Sequence, residues 1–201
     1  MKRYILAITG ASGAPLGLRV LQELSKTSEV HVLISNYAFY NLKAECGLDW
    51  NGGTRTEIES KIRSHCGSGN IFYWPEDDMT APVASGSFQT DGMFVVPCSM
   101  KTLAGIRAGY ANNLIERTAD VTIKEGRRLI LAPREMPLSA IHLENMLSLA
   151  RMGVHIAPPV MAFYHGPKTI DDMIGFCAGK ILDLAGVEHK LFARWGAGRP
   201  E

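Results

Sequence analysis

The sequence predicts an α/β fold: a doubly wound, mostly parallel sheet with helices on both faces, three layers in all. Three observations predict it. Apolar runs of strand length recur along the chain and are near-continuous, as strands buried on both faces are. Between them, apolar residues return at helical spacing, and strands alternating with helices build parallel sheets. Finally, the residues with chemical potential follow strands, at the sheet edge where ligands bind in open α/β folds.

Tyr4-Ile-Leu-Ala-Ile-Thr9 is the first strand. Gly10-Ala-Ser-Gly13-Ala-Pro-Leu-Gly17 follows it, and Leu16, Val20, Leu21 and Leu24 then recur as one helical face, with Pro15 suited to a first turn. Strand, glycine loop and helix N-terminus together hold a phosphate with backbone N–H groups and the helix dipole. The next strand, Val30 to Ile34, ends at Ser35 and Asn36, where a dinucleotide site places an acidic residue for the ribose. The glycine pattern is not G-x-G-x-x-G, and no Gly-Lys-Ser/Thr of a P-loop is present. NAD is therefore disfavoured, and a mononucleotide with a single phosphate fits better.

Residues 37–45 read as a helix and 47–90 as the least regular part, with a capping box at Thr54-x-x-Glu57 starting a short exposed helix. Ala84-Ser-Gly-Ser87 is either plain loop or a set of hydroxyls and amides for an anion. Met93 to Val96 is a strand running into Pro97-Cys98-Ser99-Met100-Lys101-Thr102 and a helix with Leu103, Ala104 and Ile106. Cys98, with no base beside it, reads as a packed small residue. A helix over 114–124 carries Arg117 and Lys124 on one face, two turns apart, where they are site cations or merely solvated ones. Leu129 to Ala132 is a strand that stops at Pro133 and places Arg134 beside Glu135, a surface ion pair or a ligand site, because burying either charge alone is costly. Ser139 caps a helix whose stripe is Leu143, Met146, Leu147 and Ala150. Val154 to Ile156 is a last strand, leading through Pro158-Pro159 to Tyr164. Thr169-x-x-Asp172 caps the final helix, with Ile170, Ile174, Cys177, Ile181 and Leu184 as its stripe and Lys180 pointing inward or at water. The apolar tail Phe192-Ala-Arg194-Trp195 suggests docking on a neighbour.

The 201 residues fit one domain spanning the whole chain. A net charge of +1, from 21 basic and 20 acidic residues, excludes the footprint of a nucleic-acid or membrane binder, so any anion meets a local cluster. Cys46, Cys66, Cys98 and Cys177 show no C-x-x-C and read as free thiols of a reducing compartment. Without a signal-like N-terminus or a membrane-length apolar run, the expected location is the cytoplasm.

Longer blocks carry a resemblance. Thr9-GASGA-Pro15, Ala84-SGSF-Gln89, Pro97-CSMKTLAGI-Arg107, Asn113-LIER-Thr118, Ala132-PREMPLSAIHLENML-Ser148 and Pro159-VMAFYH-Gly166 make the chain similar, over nearly its whole length, to the UbiX-type flavin prenyltransferases. The stretches around Ser85 and Cys98 resemble the branch associated with phenolic-acid decarboxylases. The resemblance implies a flavodoxin- or Rossmann-like subunit, assembled into dodecamers with the active site where subunits meet. It implies that reduced FMN is prenylated at N5 and C6 by dimethylallyl phosphate, without a metal, for use by a UbiD-type decarboxylase. By matching position, Gly10, Ala11, Ser12, Ser35, Ser99, Met100, Lys101, Thr102 and Arg134 would hold FMN. Arg117, Lys124, Tyr164, Lys180, Ser85 and Gly86 would surround the prenyl phosphate, with Glu135 and Lys124 catalytic.

Two positions depart from the pattern. Met79 stands where many members have a tryptophan that can shelter an allylic cation, so either Tyr73 or Trp74 substitutes or the shielding is weaker. Lys180 stands where some relatives have arginine, a point charge in place of a bidentate fork. An FMN carrier for a partner decarboxylase, a flavin-dependent cysteine decarboxylase and a direct aromatic-acid decarboxylase are the competing expectations. Lys124 and Glu135 argue against a carrier, which needs neither. No counterpart of the cysteine decarboxylases' asparagine- and methionine-containing motif is present.

Overall fold

A computed structural model describes residues 1–194. Strands β1 (Lys2–Ile8), β2 (Ser28–Ile34), β3 (Ile71–Pro75), β4 (Gly92–Cys98), β5 (Leu129–Pro133) and β6 (His155–Ile156) form one sheet in the order β3-β2-β1-β4-β5-β6. Every neighbouring pair is parallel. Alternation along the strands sends side chains to two separate cores. Tyr4, Leu6 and Ile8 face one, against α1 (Ala14–Ser25), α2 (Asn36–Cys46), α3 (Arg55–Cys66) and α7 (Ile170–Asp183). Ile5 and Ala7 face the other, against α4 (Met100–Ala108), α5 (Leu114–Lys124) and α6 (Ala140–Arg151). Burial on both faces is why these strands read as continuous apolar runs. This is the three-layered, doubly wound α/β fold expected from the alternation, its sheet parallel throughout.

The sheet reverses its winding between β1 and β4. Their ends are locked together: Thr9 N–H and Oγ1–H both donate to the Pro97 carbonyl, at 3.2 and 2.8 Å, and Ser99 N–H donates to Thr9 Oγ1 at 2.8 Å. The caps expected at Thr54, Ser139 and Thr169 all form, each as a reciprocal capping box.

Several expectations are corrected. Residues 71–75 form an edge strand, where loop was expected; pairing with β2 alone orders a run too short and too aromatic to stand out by periodicity. The helix after Thr54 is not short: it runs twelve residues and buries Ile58 and Ile62. On α6 the buried residues are Met146 and Leu149, while Leu143 and Leu147 are 52% and 51% exposed and Ala150 is exposed too. The small edge strand β6 leaves that apolar side of the helix uncovered. Ile170, expected in the α7 stripe, is exposed at the first turn. The tail docks on its own chain up to Arg194: Phe192 packs 5.0 Å from Phe176, and Arg194 pairs with Asp183 at 2.7 Å. Trp195 lies outside the described residues. Among the described residues no helix is long and apolar enough to cross a membrane.

Candidate active site

The crevice at the carboxyl ends of β1 and β4 gathers most of the expected residues. Gly10 sits where a side chain has no room: a Cβ there would lie 2.6 Å from Tyr37 Cβ, so α2 closes directly over the loop. That contact brings Ser35, whose hydroxyl makes no capping bond, beside the glycine loop. Across the crevice, Ser99 caps α4 by accepting from Thr102 N–H at 3.2 Å, and its hydroxyl donates to Thr102 Oγ1 at 3.0 Å. The first-turn amides of α4, from Met100 and Lys101, have no intrahelical partner and favour an anion.

Arg134 and Glu135 form no ion pair among the described residues. Arg134 reaches across the crevice, its Nε–H donating to the Ser12 carbonyl at 3.2 Å, while Glu135 Oε1 accepts from the neighbouring Met136 N–H at 3.0 Å. Both side chains are exposed. The surface-pair reading of these residues is therefore set aside: the arginine is aimed at the glycine loop, and the glutamate is exposed beside the crevice.

Below them lies a cavity of about 640 Å³, within the range of small-molecule sites. Its walls are mostly apolar, with Pro97, Met161, Met173 and Ile174, and its charged members are Arg134 and Glu45. Glu45 is the residue sequence reasoning missed. Its Oε2 accepts from Gly13 N–H at 2.9 Å and Ala14 N–H at 2.8 Å, so a carboxylate sits where the helix dipole favours negative charge. A glutamate in the last turn of α2 carries no local signal of this; only folding α2 beside α1 brings it there. The bound carboxylate is itself evidence that this helix start accepts an anionic oxygen.

Tyr164 and Lys180 both lie near Phe176. Tyr164 packs edge-on to that ring at 5.6 Å, and the ring shares with Lys180 the lining of a cavity of about 330 Å³.

Lys124 is elsewhere. Helix α5 runs antiparallel to β5, so its last residue lies at the opposite end of the sheet from Glu135. The five residues of β5 separate the two ends by roughly 16 Å. Lys124 and, two turns back along α5, Arg117 flank the Ser85-Gly86 loop: Arg117 Nε–H donates to the Ala84 carbonyl at 3.1 Å, and a Cβ on Gly86 would lie 3.0 Å from Lys124 Nζ. Each cation has a carboxylate partner, Asp120 at 2.9 Å for Arg117 and Glu125 at 2.6 Å for Lys124. Within one chain the expected residues thus stand apart: the crevice group with Glu135, Tyr164 and Lys180 about Phe176, and the Lys124 group.

Within one chain neither expected aromatic substitute presents a free face. Tyr73 is buried, and burial pushes its hydroxyl pKa up to about 12. Trp74 donates its indole N–H to His31 Nδ1 at 2.9 Å, and its π face already holds the Arg55 guanidinium at 3.7 Å. Met79, at the tryptophan's position, is 44% exposed.

Residues 1–182 match the family model described as Flavoprotein. "Flavin prenyltransferase UbiX" of Halalkalibacterium halodurans is 48% identical over 197 residues, covering 98% of this chain and 94% of its own. The chain belongs to the UbiX family of flavoproteins. Among solved structures, a dodecameric FMN-dependent UbiX-like decarboxylase from Escherichia coli O157:H7 superposes with a TM-score of 0.86 at 46% identity, over 96% of this chain and 98% of that one. AnUbiX (PadA1), solved in complex with FMN and dimethylallyl pyrophosphate, gives 0.87 at 44% identity, over 97% of each chain. The UbiX-family kinship extends over the crevice, the cavity and the Lys124 group alike.

Proposed function

We propose that this chain is a flavin prenyltransferase that transfers the dimethylallyl group of dimethylallyl phosphate to N5 and C6 of reduced FMN and releases inorganic phosphate. The reading rests on full-length kinship with flavin prenyltransferases, and the site's chemistry fits it. The glycine loop, Ser35 and the α4 start form a cradle for one phosphate, as a flavin mononucleotide requires. Gly10, Ala11, Ser12, Ser35, Ser99, Met100, Lys101, Thr102 and Arg134 would hold that cofactor. When bound and reduced, FMN supplies the nucleophilic N5 and C6 atoms.

The protein's own groups do the rest. Breaking the allylic C–O bond places growing negative charge on the departing phosphate. Lys124, Arg117 and Lys180 stabilise that charge electrostatically, and loss of one such group typically costs about 10²–10³-fold in rate. Tyr164, Ser85 and Gly86 donate to the phosphate oxygens. Glu135 moves a proton, onto the leaving phosphate or away from the acceptor, for about 10²–10⁴-fold. The apolar wall of the larger cavity shelters the five-carbon chain from water. No step calls for a metal.

The placement of Lys124 and Glu135 at opposite ends of β5 supports a site completed by a second copy of the chain. Ile141, Leu143 and Leu147 on α6, and Tyr37 and Tyr40 on α2, offer apolar surface for it. We read the assembly as a dodecamer of single-domain subunits spanning residues 1–201, working in the cytoplasm and passing its product to a UbiD-type decarboxylase.

The experiment is mass spectrometry of the flavin after anaerobic incubation with reduced FMN and dimethylallyl phosphate, beside Glu135→Gln. A flavin heavier by one five-carbon unit, strongly diminished in the variant, is expected. Unmodified FMN released from a protein that binds it would leave a flavin carrier in place of the transferase.

A further inference from the structure

We propose that Glu125 is the internal counter-ion of Lys124: its carboxylate holds the place of the prenyl donor's phosphate, is displaced when the donor binds, and disfavours donors of higher charge. This rests on the prenyl-phosphate reading of Lys124. Glu125 directly follows α5, and its Oε1 lies 2.6 Å from Lys124 Nζ. The same oxygen fills the space over Gly86, where a Cβ would lie only 2.2 Å from it and 3.0 Å from Lys124 Nζ. Ammonium, carboxylate and the bare face of a loop glycine therefore form a cradle that already holds an anionic oxygen.

Glu125 has a second, more distant cation beside it: Arg127 Nη2 lies 4.0 Å from its Oε2. Arg127, 11% exposed, donates from Nη1 to the Phe88 carbonyl at 2.8 Å and from Nη2 to the Gly86 carbonyl at 2.6 Å, clamping the loop from below. The Lys124 and Glu125 side chains are 47% and 35% exposed, so their pairing is weak and easily exchanged. The Lys124 ammonium holds the Glu125 carboxyl below the usual carboxylate range, so it is ionised when a donor arrives. Once displaced it remains tethered one residue from Lys124. A monophosphate meets this residual repulsion once, whereas a diphosphate brings additional negative charge against it.

The measurement is calorimetric titration of the protein loaded with oxidised FMN, which cannot turn over, with dimethylallyl phosphate and with dimethylallyl diphosphate. Wild type, Glu125→Gln and Lys124→Ala are compared at one ionic strength, after thermal melting confirms each is folded. An exposed ion pair of this kind contributes up to about fivefold in an equilibrium constant. Glu125→Gln should therefore tighten the monophosphate by roughly threefold to fivefold and the diphosphate by more, while Lys124→Ala weakens both. Glu125→Asp, which keeps the charge, should retain the wild-type preference between the two donors. Affinity unchanged or weakened in Glu125→Gln, with wild type still binding through Lys124, overturns the counter-ion and leaves the prenyl-phosphate reading standing. Wild-type binding that Lys124→Ala does not alter, or no binding at all, removes that reading and the counter-ion with it.

Discussion

Gly17 offers a test in which local preference and tertiary packing point in opposite directions. It lies in the interior of α1, where replacing glycine by alanine ordinarily stabilises a helix by about 1 kcal/mol. Here a Cβ would lie 2.4 Å from the Val96 carbonyl oxygen and 3.3 and 3.4 Å from Ile8 Cγ1 and Cδ1. The oxygen is β4 backbone, just before the Pro97 carbonyl that binds Thr9, and cannot rotate away as a side chain would. Helix α1 must shift from the sheet, an overpacking cost of about 3 kcal/mol or somewhat more. Subtracting the propensity gain leaves a net loss of about 2 kcal/mol. For a chain of this size that lowers Tm by roughly 4–8 °C. Gly175 in α7 is the control, since a Cβ there meets Leu191 O at 3.4 Å, an ordinary contact. Gly175→Ala should therefore hold or raise Tm. Differential scanning calorimetry of both variants decides the matter, and FMN retention by Gly17→Ala should fall if the glycine loop before α1 holds the flavin phosphate as proposed. A Gly17→Ala protein as stable as wild type would refute the close approach of α1 to β4.

Two further outcomes follow from the same geometry. His31, 4% exposed, accepts from the Trp74 indole at Nδ1 and pairs through Nε2 with Glu29 Oε1 at 2.9 Å. Burial depresses its pKa, against the opposing pull of Glu29, and a proton on Nδ1 would confront the indole N–H. With the folded pKa below the unfolded value of about 6.5, this contribution is complete above pH 6.5 and is lost as pH falls below it. The urea midpoint should drop between pH 7 and 5.5 more steeply in wild type than in His31→Gln; equal slopes would refute it. Separately, Lys124→Ala and Glu135→Gln proteins should each be nearly inactive, yet mixed oligomers of the two should recover activity. With random mixing, about a quarter of sites draw both native residues from different subunits. Recovery no greater than the sum of the separate variants would place both residues of each site in one chain.

The chain's local grammar set much of this protein. The apolar runs, the capping residues Thr54, Ser139 and Thr169, and the turns that follow each strand are short-range features. They determined the layered fold and put Gly10–Gly13, Ser35, Ser99 and Arg134 on one sheet edge. They work because a helix or strand is specified by neighbours a few residues apart. What escaped lay in contacts between distant segments. Strand β3 exists because β2 pairs with it, not because Ile71–Pro75 has a strong period of its own. Glu45 reaches Gly13 and Ala14 only because α2 packs beside α1. Nothing local fixed which side of α6 would be covered. Above all, the family resemblance joined Lys124 to Glu135 as catalytic, yet an antiparallel helix and one strand carry it to the far end of the sheet. Sequence determined which residues could do the chemistry; chain direction, a global property of the packed fold, decided which of them one subunit brings together.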